Sequence, residues 1–225
     1  MTIEKNNEIN YVDLFNEYYK DKRYIVSDIV FKESISKYIF ILESPHNDEV
    51  KNGYPVAGKS GIDMGKFMGI SINESFGRYV KFNLNKDISI INISKVPLQE
   101  INILDNKYKS LLNGVCKLIR SGYKTLLKHR DNEANLIEEK LLKDFKIRFN
   151  NINSDNRTKI IVCGKFAESY FNKIKEELIL DGREILYVPH PSRHQWDNPK
   201  GDLLKLRNIF SNSNLKIWNY ILNNV

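Results

Sequence analysis

Cysteine is nearly absent: Cys116 and Cys163 are the two thiols in 225 residues. Two thiolates cannot complete a Cys₄ zinc site or ligate a four-cysteine iron–sulfur cluster. They lie far apart, each beside apolar residues, and read as buried small hydrophobes in a reducing compartment. Long hydrophobic runs are missing too. None approaches the roughly 20 apolar residues that cross a bilayer, so no membrane partner is expected. The opening segment MTIEKNNEIN holds charge and amide groups but no apolar export core, which predicts a cytoplasmic protein. There are no internal repeats and no low-complexity linkers. At this length the chain is expected to form a single domain over residues 1–225 and to act as a monomer.

What is present is an ordinary soluble balance, 41 % hydrophobic and 28 % charged, so a buried core is affordable to the chain. Lysine and arginine number 35 against 28 acidic residues, a net charge of +7. That excess leans toward a polyanionic partner such as nucleic acid. A lysine- and asparagine-rich chain also fits an AT-biased coding sequence, so charge alone is a modest pointer.

Apolar periodicity places the elements. Ile9, Val12, Phe15 and Tyr19 form a helical stripe over residues 9–20. Four short apolar runs read as buried strands: Lys37 to Leu42, Ile88 to Ile93, Lys159 to Cys163 and Glu184 to Val188. Between the first two lies a polar stretch, His46 to Gly61, with three glycines and Pro55. It is too long for a tight turn and is expected to be a functional loop. Ser60 is expected to cap a helix carrying Met64, Phe67 and Met68. Helices are also predicted over 106–128, 133–145, after Gly164, and over 202–223 with an interruption near Ser211. Buried strands separated by helices predict an α/β fold, a three-layer α/β/α sandwich around a mainly parallel four-stranded sheet. Ligands of such sheets sit beyond the carboxyl ends of the strands.

Two strand-end segments concentrate chemistry. Glu43 leaves a buried strand, where partial desolvation suits a carboxyl for acid–base work. Gly58 and Gly61 allow close backbone approach to a ligand; the alternative is a polar loop with turn glycines. The second segment runs from Pro189 to Trp196. Its prolines fix the backbone around His190. Ser192, Arg193, His194 and Trp196 combine basic and aromatic groups suited to phosphate contact and base stacking. His190 and His194 have a metal-ligand spacing only on a helix, which Pro191 opposes, so no metal is expected.

These segments carry a family resemblance. Glu43 to Gly61 resembles the first motif of the uracil-DNA glycosylase superfamily, in the branch with Gly-Glu-Ala-Pro-Gly, then Glu, then Gly-x-Pro-Phe-x-Gly-x-x-Gly. Glu43, Pro45, Glu49, Gly53, Pro55, Gly58 and Gly61 match that spacing without a gap. Ile90-Ile91-Asn92 is similar to the strand whose asparagine reads the base. Lys159 to Ala167 is similar to the third strand and its turn, and His190-Pro191-Ser192 to the motif that closes the site. The ordered set covers roughly residues 38–196.

The resemblance implies a DNA glycosylase that flips a base from the stack and hydrolyses its N-glycosidic bond, as in base excision repair. It implies Asn92 as base reader, His190 stabilising charge on the leaving base, and Glu43 placing water. His46 and Val56 would line the base pocket, and Ser192, Arg193 and His194 would meet DNA. No cofactor is implied. The chain departs from the pattern at Leu42, Ser44, His46 and Val56, and it lacks the four cysteines of the iron–sulfur branch. Val56 replaces a stacking phenylalanine and Ser44 stands where the most active branch has aspartate. These departures favour a slow enzyme or, as the alternative, a catalytically inactive nucleic-acid-binding module on the same fold; a hydrolase of free nucleosides or nucleotides is the third reading.

Overall fold

In the computed structural model, which describes residues 9–70, 73–82, 85–121, 132–192 and 194–212, each of the four apolar runs becomes a strand. These are β1 (Tyr38–Leu42), β2 (Ile88–Asn92), β3 (Lys159–Cys163) and β4 (Ile185–Val188). Their order is β2-β1-β3-β4 and every pairing is parallel. Such strands are buried on both faces, which is why their sequences run apolar throughout rather than alternating.

The pleat divides those residues between two cores. Ile39, Ile41, Ile91, Ile160 and Val162 face α1 (Tyr11–Tyr18), α7 (Asn132–Asn150) and α8 (Lys165–Ile174). Tyr38, Phe40, Leu42, Ile90 and Leu186 face α3 (Lys59–Phe67), α4 (Phe76–Phe82) and α9 (Asp202–Asn212). The result is the expected α/β/α sandwich. Among the described residues no helix is long and apolar enough to cross a membrane.

Several local expectations are corrected. The first stripe begins later, since Ile9 is 52 % exposed and Asn10 caps α1 by accepting from the Asp13 amide at 3.0 Å. The supposed loop contains a short helix, α2 (Asn47–Asn52), closed by Gly53 in the left-handed region. Gly58 rather than Ser60 precedes α3. The helix predicted over 106–128 is a composite rod. A 3₁₀ turn (Asn106–Tyr108) leads through α5 (Lys109–Leu111) and a π turn (Leu112–Cys116) into α6 (Lys117–Ser121). Residues 122–131 lie outside the described residues, as does the chain beyond Asn212, up to which α9 runs without the break expected near Ser211.

Because β1 pairs with β2 on one side and β3 on the other, the chain reverses direction of winding at β1. The crevice beyond the carboxyl ends of β1 and its neighbours is where a doubly wound sheet offers a site.

Candidate active site

Two connected cavities open at that edge, on either side of the exit from β1. The first, about 240 Å³, is lined by Leu42, Ser44, His46, Val56 and Asn92. The second, about 390 Å³, is lined by Lys117, Arg120, Lys165 and Phe166. Glu43 and His190 border both. The sequence-predicted Glu43, His46, Val56, Asn92 and His190 are therefore brought together by the sheet.

Asn92 ends β2, in register with Leu42. It is 2 % exposed, and its Oδ1 is buried without a hydrogen-bond partner among the described residues. The Ser44 Oγ is in the same condition. A buried polar group left unpaired costs about 1–3 kcal/mol. Two such atoms on the wall of one cavity create a demand that a polar ligand can meet.

The loop around the cavity is held by Glu49. This buried carboxyl accepts from the His46 amide at 2.8 Å and from the Val56 amide at 2.6 Å, tying both ends of the pocket wall to α2. Burial pushes its pKa up to about 7, against the two N–H donors that favour the charged form. Val56 takes φ 48°, an unusual conformation for a β-branched residue. Its carbonyl lies against Gly61, where a Cβ would stand 1.7 Å from the Val56 oxygen. The close approach that Gly61 permits is thus that of the protein's own chain. The motif spacing builds a latch: Glu49 grips from one end and Gly61 admits the strained turn at the other.

His46 sits at the mouth of the cavity with Gln99 beside its Nε2. Desolvation lowers its pKa first, and nearby Arg120 adds to the effect. Arg120 was not foreseen as a site residue. It stands on α6, one turn past the π turn, and donates from Nε to Glu43 at 2.6 Å. π turns concentrate at functional sites, but an apolar periodicity reading has no means of locating one. Lys117 and Lys165 join it in making the second cavity cationic.

His190 reaches the same wall because Gly164, at φ 92°, leaves room for it; a Cβ there would stand 2.9 Å from the His190 Cβ. Its Nδ1 is hydrogen-bonded to Ser192 Oγ at 2.9 Å. Burial lowers its pKa below the ordinary imidazole value; Glu43 opposes that shift while His46 and Arg120 reinforce it. His190 is accordingly neutral near pH 7.

The rest of the predicted nucleic-acid segment divides. Ser192 is engaged inward by His190. His194 is exposed, at φ 58°, and pairs with Asp197 at 3.2 Å. Arg193 lies outside the described residues. Trp196 corrects an expectation: it is 2 % exposed and donates to the Pro189 carbonyl at 2.8 Å, so it anchors the loop instead of offering a stacking face. Among the described residues no three His, Cys, Asp or Glu side chains gather as a metal site. Cys116 and Cys163 are both buried, and burial pushes the Cys116 thiol up to about 12. Compared with known proteins, the chain matches no protein-family model and no curated protein.

Proposed function

We propose that the chain is a DNA glycosylase of the uracil-DNA glycosylase type, hydrolysing the N-glycosidic bond of a flipped-out uracil or other damaged base. The observation that carries the reading is the buried, unpartnered Asn92 oxygen facing a cavity bordered by His190 and Glu43. At about 240 Å³ that cavity falls below the roughly 300–1,000 Å³ of ordinary small-molecule pockets, which fits a single base better than a whole nucleotide.

In this reading Asn92 Oδ1 accepts from the ring N–H of the base and its amide N–H donates to the adjoining carbonyl. Ser192 donates to His190 Nδ1, so the neutral imidazole carries its proton on Nε2. That N–H meets the negative charge that grows on the base as the C1′–N bond breaks and its electron pair leaves with the base. A water oxygen bonds to C1′ and gives up its proton, with Glu43 as the nearest carboxylate to orient it. Arg120, bonded to Glu43, fixes where that carboxylate points. The second, cationic cavity suits the anionic backbone of a nucleic acid.

A second reading, a base-binding module without turnover, is favoured by that same ion pair, since Arg120 already occupies Glu43, and by the lack of a stacking ring at Val56. The test is alkali-induced cleavage of single- and double-stranded oligonucleotides containing one uracil, with chelator present. Strand scission at the uracil is expected. Intact strands with retained binding would replace the enzyme by the module. Conversion of free deoxyuridine with DNA untouched would make the chain a nucleoside hydrolase.

A further inference from the structure

Asn92 faces a physical difficulty. Its Oδ1 has no partner among the described residues, so no hydrogen bond there fixes the side chain, yet a base-reading amide must present donor and acceptor in one set orientation. The backbone supplies what the side chain lacks. On the β1 side the Ile93 and Ser94 amides donate to the Leu42 and Glu43 carbonyls at 2.9 and 3.1 Å. β2 is an edge strand, however, and its other side is held by a side chain from α7.

That side chain is Arg148. Nη1 donates to the Asn92 carbonyl at 3.0 Å and Nη2 to the Ile93 carbonyl at 2.9 Å. Nη1 also reaches both oxygens of Asp28, at 2.9 and 3.1 Å, and Nε meets Asp144 Oδ2 at 2.6 Å. The Asp28 carboxylate in turn accepts from the Asn92 backbone amide. One buried ion pair therefore grips both the N–H and the C=O of Asn92. Asp144 is steadied by the Tyr19 hydroxyl at 2.7 Å and by Lys95 at 3.5 Å. Buried ion pairs of this kind are often no better for stability than apolar residues of the same volume, and a specifying role is among their attested uses.

We propose that Arg148, paired with Asp28, is a positioning residue that sets the orientation of Asn92 toward the base. The inference rests on the base-reading role of Asn92 proposed above. A guanidinium has its donors in a fixed fork, so it spans two carbonyls and two carboxylates at once; a lysine ammonium is a point charge and cannot. Displacement of a reacting group by about 1 Å can cost about 10²-fold in rate.

The experiment combines Arg148→Lys with Asn92→Ala. Single-turnover uracil excision is measured for wild type, both single variants and the double variant, beside the side-chain amide resonances of Asn92 in the ligand-free protein. Arg148→Lys is expected to excise about 10²-fold more slowly and to shift the Asn92 amide resonances. In the Asn92→Ala background it should cost less than about twofold, because the group it positions is gone. Losses that multiply in the double variant, or unmoved Asn92 resonances, would overturn the inference. Should wild type excise nothing, the glycosylase reading falls while the resonances still decide the role of Arg148. If Arg148→Lys fails to fold, Asp28→Asn, which keeps the fork but weakens its anchor, goes through the same cycle with the same expected outcomes.

Discussion

Replacing Asn92 by aspartate tests the pocket most directly, because it removes one donor and little volume. Uracil presents a carbonyl acceptor beside a ring N–H donor, and the asparagine amide answers both. An ionised aspartate offers acceptors alone, so the uracil carbonyl goes unpaired at a cost of about 1–3 kcal/mol. With a tenfold change per about 1.4 kcal/mol, uracil excision should fall by about one to two orders of magnitude. Cytosine presents an amino donor that the carboxylate can accept, so cytosine excision should rise relative to uracil. The position supplies an internal control. Asn92 is 2 % exposed, and burial favours the neutral form of a carboxyl introduced there. A protonated acid regains one donor and one acceptor. The deficit of Asn92→Asp against wild type should therefore shrink as pH falls through the raised pKa of the new carboxyl and be largest above it. Matched uracil and cytosine oligonucleotides under single-turnover conditions, with both proteins compared at each pH, measure this. Wild-type uracil rates in Asn92→Asp at high pH would show that Asn92 does not read the base.

Two further outcomes are expected. His190→Ala should slow the chemical step by about 10²–10³ while DNA affinity stays near wild type, as single-turnover rates and direct binding would show; equal losses in both would make His190 a structural group. Gly61→Ala should be destabilising, because its Cβ would fall 1.7 Å from the Val56 carbonyl oxygen. Overpacking costs about 1–3 kcal/mol or more, and each kcal/mol lowers Tm by about 2–4 °C at this chain length, so an unchanged melting curve would remove the latch.

The four strands were legible because burial on both faces demands continuous apolar runs, a pattern few other structures impose. Their carboxyl ends then brought Glu43, Asn92 and His190 together without further information. α2 was hidden because its sequence, Asn47–Asn52, has almost no apolar residues. It is held by Glu49 reaching back to the His46 amide and forward to Val56, contacts that no periodicity encodes. Trp196 was misread for the opposite reason. A tryptophan beside arginine and histidine has the composition of a stacking surface, yet its indole N–H found a carbonyl within its own loop. Arg120 and Arg148 sit about 80 and 60 residues from the groups they touch in the chain, so only the packing of their helices could reveal them.

The π turn at Leu112–Cys116 has a consequence for how this site can change. A π turn accommodates one residue more than the α-helix it interrupts. Deleting a single codon there would restore regular winding and rotate everything beyond it by about 100°, the angle per residue of an α-helix. Arg120 would swing off Glu43 and another side chain of α6 would face the carboxylate. Insertion and deletion, rather than substitution, are then the natural mutational route between a neutralised and a free Glu43, and two chains with the same site residues could differ in chemistry by one residue of helix length.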